Sequence, residues 1–147
     1  ATPQASLADR MKAHTGRFVD KAFDWNAFPS NAGFDELARA QMRYIGAGGS
    51  PKVGDPSTLK ADNFTLSLIY KEPGRYAACH SHEIEESFLI IDGALIVGWE
   101  KDGEVVEVKA IVATASRTGV DLPWEGAIYG HLGLFRQTKF IDVNSWS

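Results

Sequence analysis

The stretch "GRYAACHSHEIEESFLIIDG", residues 74–93, decides how the rest of the chain is read. It starts and ends on glycine and carries two of the four histidines and three glutamates. In an extended strand alternate side chains share a face, so His80 and His82 point the same way, with Cα atoms roughly 6.5–7 Å apart. Two imidazoles at that separation can converge on one ion, each at about 2.0–2.2 Å. If "EIE" (83–85) is a tight turn, Glu86 opens the next antiparallel strand beside the histidines. Two nitrogens and one carboxylate, with positions left over, suit iron, manganese, nickel, cobalt or zinc. Glu83 and Glu85 are expected on the turn, facing water. Tyr76 and Ala78 share the histidine face, and the small Ala78 leaves room beside an ion. Cys79 points the other way, so it is expected neither as a ligand nor as a nucleophile paired with His80. An isolated H-x-H is more often a solvent-edge pair than a metal site. The offset of Glu86 and the bracketing Gly74 and Gly93 decide for the metal.

Working outward, the segments on either side read as strands. In "FTLSLIY" (64–70), Phe64, Leu66, Leu68 and Tyr70 share one face and Thr65 and Ser67 the other, the period of a half-buried strand. "RYAACHSH" (75–82) reads as a second strand after the turn "KEPG". "SFLIID" (87–92) is apolar on both faces and should be covered on both. "GALIVGWE" follows, and Asp102-Gly103 is a strong hairpin signal before "VVEVKAIVATA" (105–115). At least five short strands with tight turns and no intervening helix predict an all-β, antiparallel sandwich or barrel.

The N-terminal part is less regular. "SLADRMKAHTGRF" (6–18) predicts a short helix started by Ser6, and "FDWNAFPSNAGF" (23–34) an aromatic-anchored loop. "DELARAQMRYIGAGG" (35–49) begins in helix-favouring residues, while its "QMRYIG" suits a strand equally. "SPKVGDPSTLKADN" (50–63) predicts a loop over the mouth of a cavity. "GAGGSPK" (46–52) lacks the spacing of a phosphate-binding loop and reads as a turn.

Composition bounds the function. A chain of 147 residues, 44% hydrophobic and 23% charged, suggests one domain with a real core. A net charge of −4 without basic blocks excludes a nucleic-acid or anionic-membrane footprint. The apolar run "FLIIDGALIVGW" is broken by Asp92-Gly93 into halves too short to span a bilayer. No secretory signal is expected at the N-terminus. A single cysteine excludes an internal disulfide and agrees with a cytoplasmic location. No nucleophile elbow is present.

The central stretch resembles the cupin superfamily, whose first motif is G-x5-H-x-H-x3-E-x6-G. Gly74, His80, His82, Glu86 and Gly93 meet every fixed position. The resemblance extends over residues 64–109, about a third of the chain. It implies a small jelly-roll-like antiparallel β-barrel with the ligands pointing inward. The whole chain, 1–147, is then expected to form one cupin-like domain, with residues 1–40 an N-terminal extension packed on the barrel. The second cupin motif, G-x5-P-x-G-x2-H-x3-N, fits poorly. Its nearest counterpart, "GVDLPWEGAIYGHLGLF", spaces Pro123 and Gly126 too widely and has Tyr129 where the family has histidine. His131 shares strand parity with Tyr129 and is the candidate fourth metal ligand, because His14 lies in the irregular N-terminal segment.

By parity Tyr76, Phe88 and Ile90 would line a mostly apolar pocket with the metal at one end. Phe88, Ile90 and Tyr129 are the expected substrate contacts, although each suits plain core packing too. Trp99 and Trp124 could contribute, and no role follows for Arg43, Arg75 or Arg136. What the resemblance implies is a metal-dependent enzyme acting on a small organic molecule, foremost a non-haem iron dioxygenase. An isomerase, lyase or decarboxylase, with Tyr76 moving the proton, is the alternative, as is a non-catalytic ligand-binding cupin. The cofactor would be one divalent first-row metal, iron first. The doubly apolar strand at 87–92 predicts a homodimer.

Overall fold

A computed structural model of the chain describes residues 4–82, 84–111, 115–118, 128–133 and 138–145. Ser6 caps the short helix α1 (Leu7–Lys12), its hydroxyl accepting from Asp9 N at 3.1 Å. Among the described residues eight strands follow: β1 (Ala40–Ile45), β2 (Phe64–Lys71), β3 (Glu85–Asp92), β4 (Ala94–Lys101), β5 (Glu104–Ile111), β6 (Ala115–Thr118), β7 (Ile128–Gly133) and β8 (Thr138–Ser145). They form two antiparallel sheets, β1-β2-β8-β3-β6 and β5-β4-β7. "DELARA" yields only a 3-10 turn (Asp35–Leu37), and the ambiguous "QMRYIG" is the strand β1.

The β4–β5 hairpin turns on Asp102 (φ 54°) and Gly103 (φ 82°), the pair of left-handed residues that a tight two-residue turn demands. The apolar run 88–99 also divides where expected, but its halves are not a hairpin. At Gly93 (φ 85°) the chain turns from β3 in the larger sheet to β4 in the smaller one. Phe88, Ile90, Leu95 and Val97, from both sides of that corner, meet Ile69 in the core, with Phe28 and Trp99 packed against them. Full burial of each such side chain contributes about 1.5–3 kcal/mol.

Three expectations are corrected. The polar face of β2, not the apolar one, is the more deeply buried: Thr65, Ser67, Ile69 and Lys71 all lie at or below 8% exposure. They face inward in register with β8, Thr65 opposite Asn144 and Ser67 opposite Asp142. The opposite face is half covered by the N-terminal extension, whose Phe23 and Trp25 rings stand 5.5 and 5.6 Å from Tyr70. Second, residues 75–82 form no continuous strand. Only Tyr76 and His80 make isolated bridges, and Tyr76 N donates to Glu36 O of the extension at 2.9 Å. Third, β3 is covered on one face only in the single chain, because Leu89 and Ile91 remain 41% and 43% exposed.

The extension is fastened by charge as well as by aromatic packing. Asp24 exchanges backbone hydrogen bonds with Gln41, and the Arg43 guanidinium donates to Asp24 and to Asp55, each at 3.1 Å. Among the described residues, no helix is long and apolar enough to cross a membrane.

Candidate metal centre

Glu86 is the second residue of β3. Its position on the inward face places it opposite Asn144 of β8 and away from solvent, at 5% exposure. The extended segment before β3 brings His80 and His82 to the same place. Ligand atoms of His80, His82 and Glu86 all lie within 4.8 Å of one another. The rings of His80 and His82 stand edge to face with centroids 4.9 Å apart.

Two details fit these residues to a metal. His80 Nδ1 lies 2.6 Å from Ala78 O. A carbonyl can only accept, so Nδ1 carries the proton and Nε2 keeps its lone pair, the arrangement that orients a metal-ligating imidazole. Glu86 Oε2 is buried with no hydrogen-bond partner, and His82 Nε2 is 3.6 Å away from it. That is beyond a hydrogen bond but close to the separation of two ligand atoms that each lie about 2.0–2.2 Å from a shared ion.

The site's electrostatics point the same way. Burial is the main cause that holds His80 and His82 below the usual imidazole pKa, and the charge of Arg39 adds to it, so both rings are neutral at neutral pH. Burial pushes the Glu86 carboxyl up to about 10, with the adjacent Asp142 as the next cause. Asp142 is itself raised to about 6, chiefly by burial. Two buried carboxyls side by side cannot both ionise cheaply, so without a cation the pair shares a proton.

A cavity of about 240 Å³ opens on this cluster. Polar and charged side chains line it beside the metal-ligand candidates: Arg39, Asn31, Asp142 and Asn144 join them, with Phe28 and Ile69 as apolar walls. Phe88 and Ile90 share the inward face of Glu86 but lie deeper, 1% exposed in the core beneath the cavity rather than on its lining. Tyr76 is 40% exposed and lies off the lining. Strand β7 sets Tyr129 and His131 in backbone register with Trp99 and Val97; their side chains lie outside what the structure describes. Glu83, Pro123, Trp124, Gly126 and Arg136 also lie outside the described residues. Glu85, expected on a turn, begins β3.

The sequence reading missed Arg39, Asp142 and Asn144. For the last two a signal existed: "FIDVNS" alternates polar 142 and 144 with apolar 141 and 143. Nothing local, however, says that the polar side of β8 faces inward.

Solved structures share this architecture. The cupin domain of Drosophila melanogaster CENP-C superposes with a TM-score of 0.58 at 14% identity, covering 99% of this chain and 84% of that one. The chain has the cupin fold. KdgF from Halomonas sp. matches with a TM-score of 0.58 at 13% identity over 88% of this chain and 89% of its own. A structure of the DMSP lyases RdDddP and RnDddQII reaches 0.61 at 12% identity, over 86% of this chain and 57% of that one. No family profile matches the sequence, nor does any curated protein.

Proposed function

We propose that the chain is a metal-dependent enzyme acting on a small, polar organic molecule, and that the reaction is an oxygen-dependent oxidation of the dioxygenase type. The observation that carries this reading is the convergence of His80, His82 and Glu86 on the wall of a cavity large enough for a small substrate. His80, His82 and Glu86 would hold one divalent first-row metal, iron foremost, and His131 is proposed as a fourth ligand. When bound, iron would supply redox chemistry with dioxygen, and any of these metals would supply Lewis acidity.

The protein's own part is to orient and to exclude. Ala78 O fixes the His80 tautomer. Phe28 and Ile69 limit water on the apolar side of the cavity. Asp142, buried beside Glu86, can hold a proton on its carboxyl. That last feature favours a second reading, an isomerase or lyase in which Asp142 rather than the exposed Tyr76 handles the proton.

Metal analysis by mass spectrometry, with His82→Ala as control, tests the centre. About one equivalent of metal, lost in the variant, is expected. Oxygen uptake by the iron-loaded protein with small organic substrates then separates the two readings; turnover without oxygen consumption would select the second. The proposal includes a cytoplasmic location and a homodimer that covers Leu89 and Ile91. A monomeric mass by light scattering at micromolar concentration would remove the dimer.

A further inference from the structure

Two arginines flank Gln41 at the start of β1, and they are provided for very differently. Both Nη groups of Arg43 are engaged, although its Nε, like that of Arg39, is buried without a partner: Nη1 donates to Asp24 and Gln41, and Nη2 donates to Asp24 and Asp55. Its role is to fasten the N-terminal extension and the 50–63 loop to the barrel. Arg39 makes no hydrogen bond and no ion pair among the described residues, and its Nε is buried without a partner. Yet it is held in place, because the guanidinium carbon lies 4.0 Å from the centroid of the Phe28 ring. Arg39 and Phe28 both line the cavity that holds His80, His82 and Glu86.

A half-buried cation here could be present only to offset Glu86 and Asp142, whose charges do act on it. That role would bring a carboxylate against the fork, as Asp24 and Asp55 are brought against Arg43. Neither Glu86 nor Asp142 makes an ion pair with Arg39. What remains is a planar set of donors, stacked on an aromatic ring so that few rotamers are open to it, facing a cavity that also holds a metal site. A guanidinium so placed matches one chemical group above others, a carboxylate gripped through two parallel N–H···O bonds.

We propose that Arg39, positioned by Phe28, is the anchor for a carboxylate on the substrate, so that the molecules taken are small carboxylic acids. The inference rests on the cavity being the substrate site of the proposed metal enzyme. The metal site selects what reacts and Arg39 selects what binds. Lysine at position 39 would keep the charge and lose the fork, and glutamine would lose both.

The test is calorimetric titration of the cobalt(II)-loaded protein with lactate, pyruvate and malonate, with lactamide as the uncharged isostere of lactate. At least one of the acids is expected to bind, and lactate about tenfold or more better than lactamide. Arg39→Gln should abolish that preference while its cobalt content, read by mass spectrometry, stays at the wild-type level. Arg39→Lys should keep part of the preference, and Phe28→Leu should weaken it. Circular dichroism checks that each variant is folded. Equal affinity for lactate and lactamide, an undiminished preference in folded Arg39→Gln, or no binding of any acid at millimolar concentration overturns the proposal. His82→Ala keeps the two ideas apart. If that variant and the wild type both hold no metal and yet bind acids in an Arg39-dependent way, the metal reading fails and the carboxylate anchor stands.

Discussion

His82 Nε2 stands 3.6 Å from Glu86 Oε2, and neither a hydrogen bond nor another partner for that oxygen closes the gap. A protonated Glu86 tolerates this arrangement, and a metal would replace the proton. Because burial and Asp142 hold the metal-free Glu86 carboxyl at about 10, loading a divalent ion at pH 7 must expel a proton from the Glu86–Asp142 pair. Zinc titrations in buffers of different ionisation enthalpy should show about one proton released per ion, and affinity rising with pH. Glu86→Gln, which has no proton to give there, should bind more weakly and release none. Affinity that is flat between pH 6 and 8 would contradict the assignment of Glu86.

The same pair sets how the metal-free protein responds to pH. Glu86 has a folded pKa raised from 4.5 to about 10, and Asp142 one raised from 3.8 to about 6. The folded state therefore binds more protons than the unfolded state between those limits, and stability falls as pH rises through them. Their contribution is complete below the ordinary carboxyl values and is lost at alkaline pH. Urea denaturation in the presence of a chelator should show a lower midpoint at pH 8 than at pH 5. Added metal should remove most of the difference, and Asp142→Asn should reduce it.

The two histidines and Glu86 were legible because their relation is local: spacing along one stretch of chain is enough to suggest that they meet. The β4–β5 hairpin was legible for the same reason, through Asp102-Gly103. Asp142 and Asn144 were not, because their place depends on β8 inserting between β2 and β3, a pairing across more than fifty residues. The faces of β2 were read in reverse because alternation assumes an apolar interior. In this barrel the interior next to the site is polar, and Ser67, Lys71 and Gln41 lie inside it. Nothing in the sequence singles out Arg39, because its place depends on the chain setting Phe28 against it.

Arg43 ties three separate segments together, and its removal should cost more than that of a surface charge. Its side chain is 8% exposed, while Asp24 and Asp55 are 21% and 25% exposed, so some solvent screening remains. Arg43→Met should destabilise the chain by about 2 kcal/mol, below the 3–5 kcal/mol expected when a fully buried pair is broken. The acid limb reports the same network. Hydrogen bonds from Ser57, then Arg43, hold Asp55 at about 2 rather than 3.8. This contribution is present above 3.8 and is lost as pH falls through about 2. Arg43→Met should flatten that limb only in part, and Ser57→Ala should flatten it more. Urea midpoints at pH 5 and pH 2 decide.

Gly46, where β1 runs into the 46–63 loop, separates two reasons for needing glycine. Its φ is 63°, and a Cβ there would sit 2.7 Å from Thr65 Cγ2 and 2.8 Å from Ala61 Cβ. Gly33 has φ 87° with nothing within 4 Å of its Cβ position. Alanine at either site carries the left-handed backbone cost of about 1–2 kcal/mol. Only at Gly46 does it also force β2 and the loop apart, which adds overpacking of about 1–3 kcal/mol. Ala61 Cβ is fixed by its backbone and cannot swing away, and relief at Thr65 would require a buried β-branched side chain to change rotamer. Gly46→Ala is therefore expected to lose about 3 kcal/mol in urea denaturation and Gly33→Ala about 1 kcal/mol. Equal losses would mean that the loop yields, and that backbone conformation alone accounts for glycine at position 46.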